Sequence, residues 1–161
     1  GSGAQQIATF ADRLDAYLED VHRTITQNGH AIQYVAGTPP WAYTIGLTDN
    51  PHPELITFGL APRSSNLVLN QTATLLANGS ITPSAPYRLS PEGAPLMLIK
   101  VRDEELTSEH FAVLRRFYDL HRITALQVVI SDPQHRFPWD EDVTPDFKRA
   151  QRLLGDPPLP N

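Results

Sequence analysis

At 161 residues the chain has room for one domain that buries most of its apolar surface, and too little for two independent cores. It contains no cysteine, which excludes disulfides, thiolate metal sites and thiol nucleophiles and points to a reducing, cytoplasmic setting. Eighteen acidic against thirteen basic residues leave a formal charge of −5, which argues against general nucleic-acid binding because phosphate backbones need a basic face.

The opening Gly1-Ser2-Gly3 reads as an expression scar with no signal peptide after it. Ile7, Phe10, Leu14, Tyr17, Leu18, Val21 and Ile25 then recur at steps of three and four, predicting an amphipathic helix over residues 5–27 that stops at Asn28-Gly29. Imperfect alternation over residues 30–36 suits an edge strand. Residues 41–47 and 54–60 read as two further strands joined by Thr48-Asp49-Asn50-Pro51-His52-Pro53, a turn rich in ladder breakers.

Ser64 or Ser65 is placed to cap a helix running to Ala77, closed by Asn78-Gly79. Residues 81–95 hold too many prolines for regular structure, and residues 96–101 form a short apolar run expected as a buried central strand. From the cap Ser108, the stripe Phe111, Leu114, Phe117, Tyr118 and His121 predicts another helix, and residues 124–130 predict the last strand. A short helix or coil over residues 147–154 precedes a proline tail expected to be disordered at residues 156–161. The expected class is α+β: a mainly antiparallel sheet of about five strands with helices packed on one face, in a single domain over residues 4–155. No apolar run approaches the roughly 20 residues of a membrane helix, so no membrane partner is expected.

Two aromatic, proline-led segments stand out, Pro39-Pro40-Trp41-Ala42-Tyr43-Thr44-Ile45-Gly46-Leu47 and Phe137-Pro138-Trp139-Asp140. Loops normally avoid large apolar side chains, so the second segment looks like one wall of a pocket and the first like the other. On a strand, Trp41, Tyr43 and Ile45 point one way and Ala42, Thr44 and Gly46 the other; the aromatic face either lines a cleft or is core. Arg136, framed by aromatics, can anchor an anion beside a stacked ring, or it can pair with Asp132 or Asp140 and staple its loop. Gln127 interrupts an apolar strand, and a buried amide without partners costs about 1–3 kcal/mol, so it is either satisfied by neighbouring backbone or presented to a ligand.

His52, held between two prolines, is the candidate general acid or base, with Glu54 either orienting it or pairing with an arginine; an exposed turn histidine without a role is the plainer reading. A site shared by His52 and Arg136 requires them within about 12 Å, the reach of one drug-sized ligand. The six histidines show no paired ligand motif, so no protein-held metal is expected. No Gly-x-Ser-x-Gly, Gly-x-Gly-x-x-Gly or phosphate loop occurs, and the cofactor is left open.

Residues Pro39 to Leu47, Pro53-Glu54-Leu55 with Gly59-Leu60, and Ala125-Leu126-Gln127-Val128-Val129 with Asp132, Arg136 and Phe137-Pro138-Trp139-Asp140 together resemble the bacterial family of unknown function DUF4262. The chain departs from that pattern at Gln151-Arg152-Leu153-Leu154-Gly155, where the family tends towards Gln-Pro-x-Leu-Gly, and it lacks the cysteine-bearing start of some members. The resemblance implies no particular activity. The functional expectation from the residues is a small-molecule site for an anionic or heteroaromatic ligand, with His52 and Glu54 in acid–base roles and Trp41, Tyr43, Thr44, Gln127, Arg136, Phe137 and Trp139 around the ligand. The rival expectations are an interaction module using the same aromatics as a flat hot spot, and a homodimer built on the helix at residues 5–27.

Overall fold

The computed structural model describes residues 9–159, so the first turn of the expected opening helix and the end of the proline tail lie outside the described residues. Helix α1 (Phe10–Asn28) begins in a capping box. The Thr9 hydroxyl accepts from the Asp12 N–H, and the Asp12 carboxylate accepts from the Thr9 N–H. It ends at Gly29, whose left-handed backbone lets its N–H return to the Ile25 carbonyl.

Five strands follow, β1 (Ala31–Val35), β2 (Trp41–Ile45), β3 (Glu54–Phe58), β4 (Leu96–Lys100) and β5 (Ala125–Ile130), in the spatial order β1-β2-β3-β5-β4. β1 pairs with β2, β2 with β3 and β4 with β5 antiparallel; β3 and β5 run parallel, with Glu54 opposite Ala125. Between β3 and β4 lies α2 (Pro62–Ala77), and α3 (Pro145–Ala150) follows β5. The fold is α+β with a mainly antiparallel five-stranded sheet. Among the described residues no helix is long and apolar enough to cross a membrane.

The helices divide between the two faces of the sheet, which corrects the expected packing on one face. Ala42, Leu55, Leu126, Val128 and Leu98 pack against Leu69 of α2. Tyr43, Ile45, Ile56, Phe58 and Ala125 pack on the opposite face against Val21 of α1, Phe111, Leu114 and Tyr118. The cause is strand periodicity: both faces of the central strands are apolar, every residue of β3 is buried, and one helical layer can cover only one face.

Two expected helical features change. α2 starts at Pro62 with Ala61 as its cap, not at Ser64 or Ser65, because proline fixes the backbone dihedral that the first helical position needs and has no N–H to satisfy. The helix expected from Ser108 is a chain of short 3-10 turns, at Glu109–Phe111, Leu114–Arg116 and Leu120–Arg122, preceded by another at Asp103–Thr107. Side chains from elsewhere take the backbone groups that a helical ladder would use. Arg115 donates to the Leu106 and Ser108 carbonyls at 2.8 and 2.7 Å, the Val113 N–H donates to the Tyr43 hydroxyl at 3.0 Å, and Trp41 Nε1 donates to the His110 carbonyl at 3.1 Å. The three-residue spacing of Phe111, Leu114 and Phe117 fits the tighter turn.

Candidate functional site

The expected walls of one pocket each serve the interior. Trp41 lies against Phe58, with ring centroids 6.3 Å apart, and meets His110 edge-on at 5.0 Å. Tyr43 is buried, and burial pushes its hydroxyl up to about 12. Phe137 and Trp139 stack at 4.9 Å and cover Met97, Ile99 and Val129. Asp140 accepts from the Phe137 N–H at 2.7 Å and closes that turn.

A strap formed by residues 151–155 holds on to the same face of the sheet. Gln127 Nε2 donates to the Arg152 carbonyl at 2.5 Å, and Gln127 Oε1 accepts from the Leu154 N–H at 2.8 Å, so of its two readings the structure shows the amide satisfied by backbone. Gln151 joins the ends of β3 and β5, donating to the Phe58 carbonyl at 2.8 Å and accepting from the Ile130 N–H at 3.1 Å. At Gly155 a Cβ would stand 1.9 Å from the Lys100 carbonyl oxygen, so only glycine lets the strap lie this close.

Arg136 is engaged as a staple. Its Nε donates to Asp132 Oδ2 at 3.0 Å and its guanidinium to Gln134 at 3.3 Å. Desolvation of Asp132 acts to raise its pKa, but the hydrogen bonds from Arg136 and Gln134 and the Arg136 charge together hold it below the usual carboxylate value. His52 precedes β3 at the end where Glu54 meets Ala125, whereas Arg136 follows the far end of β5. The strand between those ends is roughly 16 Å long, so the two residues leave the sheet from opposite strand ends.

The Glu54 carboxylate is hydrogen-bonded to Thr44 and to the start of the chain between β2 and β3, and no hydrogen bond joins it to His52 among the described residues. Oε1 accepts from the Thr44 hydroxyl at 2.7 Å and the Leu47 N–H at 3.2 Å; Oε2 accepts from the Thr48 N–H at 2.9 Å, the Gly46 N–H at 3.3 Å and the Thr48 hydroxyl. Burial raises its pKa, and these bonds only partly offset that effect. The carboxylate thereby fixes the turn after β2. Gly46 has φ of 126°, and a Cβ there would meet the Gly29 carbonyl oxygen at 2.9 Å, so this turn and the end of α1 abut directly.

That abutment creates the cleft the motifs did not announce. His22, Ile25, Thr26 and Gly29 of α1's end, Asp49 and Asn50 of the turn, Phe117 and Tyr118 of the link between two 3-10 turns, and Arg122 of the second of them line about 400 Å3, a ligand-sized volume. The Tyr118 hydroxyl donates to Asp49 Oδ2 at 2.9 Å, and the Arg122 guanidinium stands 5.3 Å from the Tyr118 ring centroid, within cation–π range. Burial, the bond to Asp49 and the negative charges of Asp49 and Glu54 all raise the Tyr118 pKa, so the phenol remains a donor at neutral pH. Among the described residues no carboxylate lies within ion-pair distance of Arg122, in contrast to Arg136.

Sequence reasoning treated Tyr118 as part of an apolar stripe and did not single out Asp49, His22 or Arg122. The partners Tyr118 and Asp49 are 69 residues apart, a distance over which spacing carries no signal. Among the described residues no group of three or more His, Asp or Glu side chains is arranged to hold a metal ion. The cleft offers an anion anchor, a carboxylate and an aromatic platform, the parts of a polar recognition site.

A family model described as a domain of unknown function, DUF4262, matches residues 24–144, and the chain belongs to that family. The match takes in the whole sheet and all the cleft residues except His22, and it ends before the strap. No curated protein and no solved structure matches the chain.

Proposed function

We propose that this DUF4262 domain is a small-molecule-binding domain whose ligand occupies the cleft between α1, the turn after β2 and the 3-10 segments, with Arg122 anchoring an anionic group and Tyr118 and Phe117 flanking a flat one. The observation that carries the reading is Arg122 itself: a guanidinium held against an aromatic face, at the lip of a ligand-sized cleft, with no carboxylate of the described residues on it. Arginine in that setting suits a carboxylate or phosphate, and the ring face suits a heteroaromatic or aromatic group.

On this reading Trp41, Tyr43, Thr44, Gln127, Arg136, Phe137 and Trp139 act by holding the fold around the site, Glu54 by fixing the turn that carries Asp49, and His52 by standing in the same connection without touching the ligand. The absence of cysteine supports a cytoplasmic setting. A second reading, a homodimer through α1, draws on Phe10 and Tyr17, which remain 74% and 39% exposed on that helix. Sedimentation of wild type beside Phe10→Ser reads it directly.

The ligand reading is tested by thermal-shift measurements with a panel of small carboxylates, phosphates and nucleotides. A ligand at a hundred times its Kd stabilises by about 2.7 kcal/mol, which gives a readable rise in Tm. The expected result is a rise for at least one anionic compound that Arg122→Gln abolishes. A rise unchanged in Arg122→Gln, or none across the panel, overturns it.

A further inference from the structure

We infer, resting on the cleft as the ligand site, that the compound bound there is a zwitterion of the α-amino acid type with a flat side chain, its ammonium received by Asp49 and its carboxylate by Arg122. The two charged side chains stand at the two poles of one aromatic residue. Asp49 takes the Tyr118 hydroxyl on Oδ2, and Arg122 lies over the Tyr118 ring. They are not paired with each other, and the separation between them is no more than one phenol and two contacts. Opposite charges left open at that distance, in a cleft of about 400 Å3, are complementary to a molecule that carries both charges close together.

The chemistry of each pole is specific. Asp49 uses Oδ2 for Tyr118, and among the described residues Oδ1 has no hydrogen-bond partner, so one carboxylate oxygen is available to an ammonium while the other is held in place. Buried Glu54 lies behind the same pole. Glu54 accepts from the Thr48 N–H, one residue before Asp49, so its carboxylate adds negative charge on the Asp49 side of the cleft. A plain anion would be drawn to Arg122 and repelled by Asp49, whereas an anion that carries an ammonium gains at both. Asn50 and Thr26 supply neutral polar groups in the same lining, and Phe117 supplies the apolar wall for a flat side chain.

The test is calorimetric titration of the full chain with three compounds on one skeleton: L-phenylalanine, its N-acetyl derivative and its carboxamide. L-phenylalanine is expected to bind, and masking either charge is expected to weaken it by roughly tenfold or more, the loss of one charge-assisted contact. Asp49→Asn is expected to erase the difference between the parent and the N-acetyl compound, and Arg122→Gln the difference between the parent and the carboxamide. Both side chains are exposed, so neither variant should fail to fold, and circular dichroism melting confirms it. Equal binding of parent and N-acetyl compound, still lost in Arg122→Gln, overturns the zwitterion and leaves the anion site standing. No binding by any of the three, with another anion bound through Arg122, does the same. No anion bound through Arg122 at all overturns both.

Discussion

The Tyr118 hydroxyl donates to Asp49 Oδ2 across 2.9 Å, joining the turn after β2 to the link between two 3-10 turns, 69 residues further along the chain. That contact makes one cleft out of two elements that share no sequence motif, and it sets both the orientation of the ring under Arg122 and the free oxygen of Asp49. Tyr118→Phe keeps the ring and removes the bond. It is expected to lower stability by about 1 kcal/mol, measured as a lower urea midpoint at unchanged slope. An unchanged midpoint would show that the bond does not hold the turn.

Glu54 gives a pH dependence with a definite sign. Its pKa in the fold lies above the ordinary 4.5, because burial outweighs the donors around it, so the folded chain holds this proton more tightly than the unfolded chain does. Its favourable contribution is therefore complete below the ordinary value and is lost as pH rises through the folded value. Glu54→Gln cannot titrate and points an amide N–H₂ at a nest of donors. It is expected to be less stable by roughly 1–3 kcal/mol at neutral pH and to lack that slope. Denaturation curves of both proteins from acid to neutral pH check it; parallel pH profiles would contradict the assignment.

His110 gives the opposite slope. Burial beside Trp41 and Phe58, then the Arg152 charge, lower its pKa below 6.5 against the weaker pull of Glu105 and Glu109. The unfolded chain takes up this proton first, so stability falls as pH drops below about 6.5 and His110 must charge on unfolding. His110→Phe keeps a ring between Trp41 and Phe58 and is expected to flatten that part of the profile. A profile unchanged in His110→Phe assigns the acid sensitivity elsewhere.

The strap offers two substitutions with one expected outcome. Gln127→Leu leaves the Leu154 N–H and the Arg152 carbonyl without their partner and is expected to cost roughly 1–3 kcal/mol. Gly155→Ala places a methyl 1.9 Å from the Lys100 carbonyl oxygen, which the backbone can relieve only by moving the strap, at a cost of roughly 1–3 kcal/mol or more. Hydrogen exchange of the Leu154 amide should speed up in both. Protection equal to wild type would show that the strap is held by other contacts.

Much of the fold was open to reading because it is periodic. The stripe from Phe10 to Ile25 gave α1 to within a residue at its C-terminal end, and the apolar runs at residues 54–60, 96–101 and 124–130 became β3, β4 and β5, although β4 lies at the edge of the sheet and not at its centre as expected, its faces covered by the residues packed on it. The segment after Ser108 misled because Phe111, Leu114, Phe117 and Tyr118 satisfy a helical stripe as well as a 3-10 one, and the arbiters, Arg115, Tyr43 and Trp41, act through space. Gln127 was conspicuous in the sequence, yet its partners lie 25 and 27 residues downstream, in a segment that reads only as a short helix or coil. The cleft was not legible for the same reason: Asp49, Tyr118 and Arg122 are ordinary residues until the Tyr118–Asp49 contact brings their elements together.

The most direct measurement is a ¹H–¹⁵N correlation titration of the full chain with L-phenylalanine and with the anions of the thermal-shift panel. The account predicts that amide shifts concentrate at residues 46–50 and 117–122, around Asp49, Tyr118 and Arg122. Shifts concentrated instead at residues 136–139 and around Trp41, or none from any compound, would contradict it.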